Sequence, residues 1–188
     1  MKLAVRAATS VHLNGTLTGT GSATVGLDVG LTRSGGFSGT VTQGGIPLTV
    51  IDAAGKVYIR ATRAYLSELN VPAAVCSVIC GKYVAMSPAN SDALAGQLTM
   101  SQMLQSVTGS LPAFTNAGMQ TINGQRVQVL HGADGSTLAV AATGPPYPVE
   151  AVSPAGRRGE LAFSHWNSVP KPVAPPASQV VDLSKLGS

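Results

Sequence analysis

The chain is predicted to fold as a mainly β (α+β) domain: a curled antiparallel sheet of about ten or eleven strands with short helices against it. Three observations carry this. Residues 23–31, ATVGLDVGL, alternate without a break, with Ala23, Val25, Leu27, Val29 and Leu31 on one side and Thr24, Gly26, Asp28 and Gly30 on the other. Turn dipeptides (Gly44-Gly45, Asn123-Gly124, Asp134-Gly135) punctuate similar runs along the chain. The period changes to a helical one only in mid-chain, around Met100–Thr108. No alternation of strand and helix suggests a parallel sheet.

The strands follow in order. Val11–Thr20 alternates loosely, and Ser22–Thr32 contains the opening run. Ser34-Gly35-Gly36 turns the chain into the Thr-rich Phe37–Gln43. Gly44-Gly45 leads into Ile46–Asp52, and Ala53-Ala54-Gly55 leads into Val57–Ala61. Thr62 is placed to cap a short helix holding Tyr65, Leu66 and Leu69. Pro72 interrupts it, Gly81 ends the next segment, and Lys82–Met86 reads as one more strand. A short turn around Asp92–Leu98 precedes the clearest helix, Met100–Thr108, where Thr99 and Gln102 form a capping box. Met100, Met103, Leu104, Val107 and Leu111 keep helical spacing, and Gly109 is a stop. Met119–Ile122, Gln125–His131, Ser136–Ala142, Tyr147–Val152 and Gly159–Trp166 then complete a second meander. Residues 167–188 are Pro-rich and extended, and are expected to dock on a single domain spanning 1–188, with VVDL near the end either adding a closing strand segment or docking as a tail.

Composition narrows the function classes. Only 11% of the 188 residues are charged, well under the roughly 25% of ordinary soluble domains. The formal charge of +4 comes from scattered residues with no basic stripe, so nucleic acid is not an expected partner. An anionic membrane surface is compatible with that weak positive balance. No apolar run reaches 18 residues. The opening MKLAVRAATS falls short of a complete signal peptide and is assigned no element. Cys76 and Cys80 are an even pair that suits an exported protein with one short-loop disulfide; two buried free thiols are the alternative. No second Cys/His pair flanks them, so no metal site is expected.

Catalytic patterns find no support. No Gly-x-Ser-x-Gly elbow is present, and Gly36-Phe37-Ser38-Gly39 has the wrong spacing. His12, His131 and His165, with Asp28, Asp52 and Asp134, are too dispersed to be joined into a triad by sequence. Gly19-Thr20-Gly21 precedes a strand and not a helix, so it lacks the anion site of a dinucleotide loop. Lys56 and Lys82 lack the rest of a phosphate loop. No cofactor is expected, and the chain is read as a non-enzyme.

The remaining question is what covers the apolar side of the sheet. The chain has three Phe, one Trp and four Tyr to fill a core, but 22 Gly. A sheet of this size closes into a barrel or wraps around something. The mid-chain helix is the available cover. Met100, Met103, Leu104, Val107 and Leu111 are expected to lie against Val25, Leu27, Val29, Leu48, Val50, Ile59, Val127, Val129, Leu138, Val140, Leu161 and Phe163. One short helix covers only part of such a surface, and an unfilled apolar space accepts apolar ligands in preference to water. The alternative is that these side chains simply pack together.

VHLNGTL, the meander ending in GKVYIRAT, the hairpin TINGQRVQVL and the stretch LAFSHWNSVPKPVAPPAS occur in a recurring order. This pattern resembles the actinobacterial lipoproteins of the LppX, LprA, LprF and LprG type, relatives of the LolA/LolB fold. It covers roughly Val11 to Asp182. The resemblance implies an open half-barrel of antiparallel strands with helices on its concave face. It also implies an extracytoplasmic, cell-envelope protein whose cavity takes the acyl chains of lipids or lipoglycans. Members are anchored through a lipidated N-terminal Cys; here Cys76 and Cys80 are internal, so the anchor is expected outside this chain. The short loops imply a smaller cavity than in the mycobacterial members.

The expected function is therefore a carrier or binding protein for a lipid or acylated ligand. The expected partners are a membrane surface and a membrane transporter. Arg157 and Arg158, in a turn between the last strands, are candidates to touch anionic head groups, or are simply solvated. The alternative class is a non-catalytic surface module that recognises another protein or senses an envelope signal.

Overall fold

The computed structural model describes residues 1–18, 24–108, 114–153 and 159–181, with the side chains of residues 2, 90, 93, 94, 97 and 106–108 left aside. Two meanders share one sheet. The first comprises β1 (Ser10–Thr18), β2 (Thr24–Thr32), β3 (Phe37–Gln43), β4 (Ile46–Ala53), β5 (Lys56–Arg60) and β6 (Tyr83–Ala85). The second comprises β7 (Thr115–Ile122), β8 (Gln125–His131), β9 (Thr137–Ala141), β10 (Pro148–Val152) and β11 (Gly159–Ser164). They join in the middle, where β1 pairs antiparallel with both β2 and β11. A two-residue β12 (Val180–Val181) adds to β6 in parallel, giving twelve strands in the order β12-β6-β5-β4-β3-β2-β1-β11-β10-β9-β8-β7. The count exceeds the expected ten or eleven because the chain end closes onto β6 as a strand of its own. The sheet is open: β12 and β7 are its two edges.

Alternation decides the inner face. On β2 the inward residues Leu27, Val29 and Leu31 are buried while Asp28 is exposed. Their cross-strand partners Leu13, Phe37 and Val41 face the same way. Close strand approach helps the sheet curl at Gly39, between Val29 and Val50. Gly39 has φ 152°, and a Cβ there would sit 2.1 Å from the Asp28 carbonyl oxygen.

Helices occupy the connection between the meanders. α2 (Arg63–Glu68) is capped by Thr62, whose hydroxyl accepts the Tyr65 N–H at 3.2 Å. α3 (Ala73–Ile79) follows Pro72, and Cys76 and Cys80 are joined in a disulfide one helical turn apart. α5 (Met100–Thr108) starts as its sequence directs, with Thr99 Oγ1 accepting the Gln102 N–H at 3.1 Å. Met100, Met103 and Leu104 drop into a core with Leu13, Leu27, Val29, Leu31, Phe37 and Val50. Two helices depart from expectation. α4 (Pro88–Gln97), read as a turn, is ten residues long; its sequence PANSDALAGQ has a single large apolar residue, Leu94, and so no apolar stripe to announce it. The opening residues form α1 (Lys2–Ala7), which buries Val5 in the main core just before the buried Ala8. Six residues are too few to show a helical period, so tertiary contacts decide this one.

The Pro-rich end straps the outer face. Asn167 anchors it: its backbone N–H donates to the Ser10 carbonyl at 2.9 Å, and its Oδ1 accepts the Thr9 N–H at 2.7 Å. The Val169 N–H donates to Ser10 Oγ at 3.0 Å. Val169 then lies on Gly30, where a Cβ would come within 2.5 Å of its Cγ1. The residues beyond Val181, like Arg157, Arg158, Gly109 and Leu111, lie outside the described residues.

Two measurements check these ties. Gly30→Val should push the strap off β2 and cost about 1–3 kcal/mol, seen as a lowered Tm and faster proteolytic cleavage within residues 169–179. Reducing the disulfide opens a loop of only a few residues, so the expected loss is about 2 kcal/mol; a drop in Tm of roughly 4–8 °C follows for a chain of this size.

Candidate functional site

The inner face is where most of the expected ligand-lining residues meet. Leu27, Val29, Leu48, Val50, Met100, Met103, Leu104, Leu161 and Phe163 share one buried cluster, and Val25 and Ile59 pack half-buried against it. The middle of the sheet is therefore filled by α5. Leu138 and Val140 are buried on β9. Val127 and Val129 pair instead with Ala141 and Ala139 and form a separate cluster with Val149. Cross-strand partners point the same way, so this pair and the Leu138/Val140 pair face opposite sides of the sheet. The side chain of Val107 lies outside the described residues.

Space remains at one end. A cavity of about 430 Å³ lies between the ends of β2, β3 and β4 and the α4–α5 junction. Phe37, Ala95, Leu98 and Met100 supply apolar lining; Thr32, Arg33, Asp52, Asp92, Thr99 and Ser101 supply polar lining. Met100 alone of the sixteen expected residues contributes to it. Small-molecule sites run roughly 300–1,000 Å³ and combine an apolar wall with a few polar groups, which is what this cavity offers.

Each polar wall has a cause in the local fold. Thr32 Oγ1 donates to the Gly35 carbonyl at 2.7 Å, tying the β2–β3 turn. Arg33 reaches back to α1, with Nη2 donating to the Val5 carbonyl at 2.7 Å and Nε to the Ala8 carbonyl. That places a cation on the free carbonyls at a helix end. Asp52 differs. It continues the inward phase of Leu48 and Val50 on β4, opposite Phe37 and Val57, and is only 7% exposed. Its Oδ1 is buried with no hydrogen-bond partner. Burial raises its pKa above the usual carboxylate value of 3.8. A charged residue at an inward position of a regular strand was the signal in the sequence; reading Asp52 only as a histidine partner missed it.

A second cavity of about 280 Å³ lies where Tyr147, Pro148, Phe163, Ser164, His165 and Trp166 meet. Tyr147 stacks on Trp166 with ring centroids 4.4 Å apart, and Trp166 Nε1–H donates to the Pro148 carbonyl at 3.1 Å. Beside it, two of the dispersed histidines do come together with Asp28. His12 Nε2 lies 2.8 Å from Asp28 Oδ1, while Ser164 Oγ lies 3.3 Å from His12 Nδ1 and 3.0 Å from His165 Nδ1. With both rings neutral, one proton arrangement satisfies all three contacts. His12 Nε2–H donates to Asp28, Ser164 Oγ–H donates to His12, and His165 Nδ1–H donates to Ser164. The residue types are those of a nucleophile relay, but the setting is not. The cluster faces outward, with the His12 and Asp28 side chains 29% and 59% exposed, so water screens the charges that a relay must stabilise. It ties β11, β1 and β2 together. Elsewhere on that face Glu150 has its pKa raised by burial first and by the Glu160 charge second. Among the described residues no three His, Cys, Asp or Glu side chains are grouped to hold a metal ion.

Comparison with solved structures places this architecture. LprF from Mycobacterium bovis superposes with a TM-score of 0.63 at 16% identity, over 93% of each chain. The Mycobacterium tuberculosis lipoprotein LppX superposes with a TM-score of 0.57 at 15% identity, over 90% of this chain and 92% of that one. The chain has the LprF–LppX fold. At these identities the likeness is one of fold, and it agrees with the half-barrel that the sequence resemblance implies. No protein-family model matches the chain, and no curated protein matches it in sequence. Within the LprF–LppX fold, the 430 Å³ cavity sits on the concave side, between sheet and helices.

Asp52 gives this site a measurable signature. Its folded pKa is raised, so the native state prefers the neutral acid. The penalty is absent below the unfolded pKa, grows as pH rises toward the folded value, and is complete above it. Asp52→Asn should therefore raise Tm at pH 7, and the gain over wild type should vanish as pH falls below about 4. Thermal melts of both proteins across pH 3–8 check this.

Proposed function

We propose that the protein is a carrier that shields an acyl chain between its sheet and helices. The observation that supports this reading best is the cavity beside Phe37, Ala95, Leu98 and Met100, on the concave side of a fold shared with mycobacterial lipoproteins. Each buried methylene contributes roughly 0.8 kcal/mol. About ten of them give roughly 8 kcal/mol before ordering costs, on the order of micromolar affinity. A bilayer offers the same energy, so loading from and unloading to a membrane are nearly balanced and need no fuel. Methionine suits the wall of such a site because its flexible thioether adapts to chains of different shape. The short-loop disulfide fits an extracytoplasmic, cell-envelope location.

No covalent chemistry is assigned to the chain. Among the described residues it would arise at the Ser164 cluster, and turnover of a p-nitrophenyl ester that is lost in Ser164→Ala would contradict a pure carrier. The other class, a surface module that binds protein rather than lipid, predicts an empty cavity.

Organic extraction of gently purified protein, followed by mass spectrometry, separates these readings. A carrier yields lipid at near-equal stoichiometry. No extractable lipid together with no binding of a fluorescent fatty acid favours the module. Ala95→Phe should fill the cavity and weaken acyl binding at least tenfold, a loss of about 1.4 kcal/mol, while Tm holds or rises; unchanged affinity would move the site elsewhere.

A further inference from the structure

Asp52 makes the cavity selective in a way that acyl-chain burial alone does not. Its neighbours across the sheet, Phe37 and Val57, are apolar and fully buried. No hydrogen bond or ion pair to its carboxyl occurs among the described residues, and its Oδ1 is cut off from solvent. Of the other polar groups around the cavity, Asp92 and Ser101 are exposed to water, and three more are held by protein partners. Thr32 Oγ1 is spent on the Gly35 carbonyl, Thr99 Oγ1 caps α5, and Arg33 is held on Val5 and Ala8. Asp52 is thus the buried wall group left unmet, and a small rotation of its carboxyl would present the unmet acceptor to a ligand in the cavity. An unmet acceptor buried in an apolar wall is destabilising, and a donor arriving with a ligand relieves that cost on binding.

The chemistry of the donor follows from the charges nearby. A carboxylate or phosphate head would put like charge against Asp52. An ammonium head would share the cavity with the Arg33 guanidinium, while the second carboxylate, Asp92, is exposed and screened by water. An uncharged hydroxyl meets neither objection and can donate to Asp52 in either protonation state. Resting on the carrier reading, we propose that the cavity selects acylated molecules with an uncharged, hydroxyl-bearing head, such as an acylglycerol or another acylated polyol, through a hydrogen bond donated to Asp52. The chain then lies along Phe37, Leu98 and Met100.

Calorimetric titration of delipidated protein at pH 7 with monodecanoylglycerol, methyl decanoate and decanoate tests this. The three probes share a chain and differ in the head. Monodecanoylglycerol should bind roughly tenfold more tightly than the methyl ester, the size of one good hydrogen bond to a buried acceptor, and decanoate should bind weakest. Asp52→Leu should erase the gap between the first two, because no acceptor is left to take the glycerol hydroxyl. Asp52→Asn keeps an acceptor and should keep the gap. Equal binding of monodecanoylglycerol and methyl decanoate by the wild type, or a gap that survives in Asp52→Leu, overturns the head-group assignment and leaves the carrier reading standing. Failure of all three probes to bind the wild type overturns both.

Discussion

The structure depends on the contact between one amphipathic helix and the hollow of one sheet. Met100, Met103 and Leu104 meet Leu27, Val29, Phe37 and Val50 in the main core. Large aromatic side chains are few, so the sheet cannot fill its own concavity, and the helix supplies the missing volume. A fully buried Leu or Met contributes roughly 1.5–3 kcal/mol. The helix is nine residues long, while the sheet it serves has twelve strands. Cover and floor therefore match in the middle and leave room at the end, where α4 turns into α5.

The outer face solves a different problem. A sheet whose inner face is greasy needs a polar outer face that holds its strands in register. The Asp28–His12–Ser164–His165 contacts link three adjacent strands there. The strap beginning at Asn167 then crosses from the middle of the sheet to its far edge and pairs with β6. Pro-rich chain suits this task because it is already extended and has little conformational freedom to lose. None of these outer ties draws on a side chain that lines the cavity at the β2–β4 end.

Much of this was legible in the chain. Period-two alternation identified β2 and its inward side, and Asn123-Gly124 and Gly44-Gly45 set two hairpins. Thr99 and Thr62 marked helix starts that the hydrogen bonds reproduce. What was not legible had physical reasons. α4 carries mostly small and polar residues, so no stripe betrays it. α1 is one and a half turns long and owes its form to Val5 and Ala8 finding the core. On β8 both Val127/Val129 and Leu130 are apolar, so alternation alone does not choose the inward side; pairing of Val129 with Ala139 and of Leu130 with Leu138 settles it. The cavity at the β2–β4 end shared this fate: Phe37, Asp52 and Ala95 meet there only through the fold.

The central claim is that an acyl chain enters at this open end, and backbone amide shifts during titration with a decanoyl ligand test it most directly. The account predicts saturable shifts centred on Phe37, Asp52, Ala95 and Met100, with the outer face unmoved. Shifts centred on Tyr147, His165 and Trp166, or none at ligand concentrations well above micromolar, would contradict it.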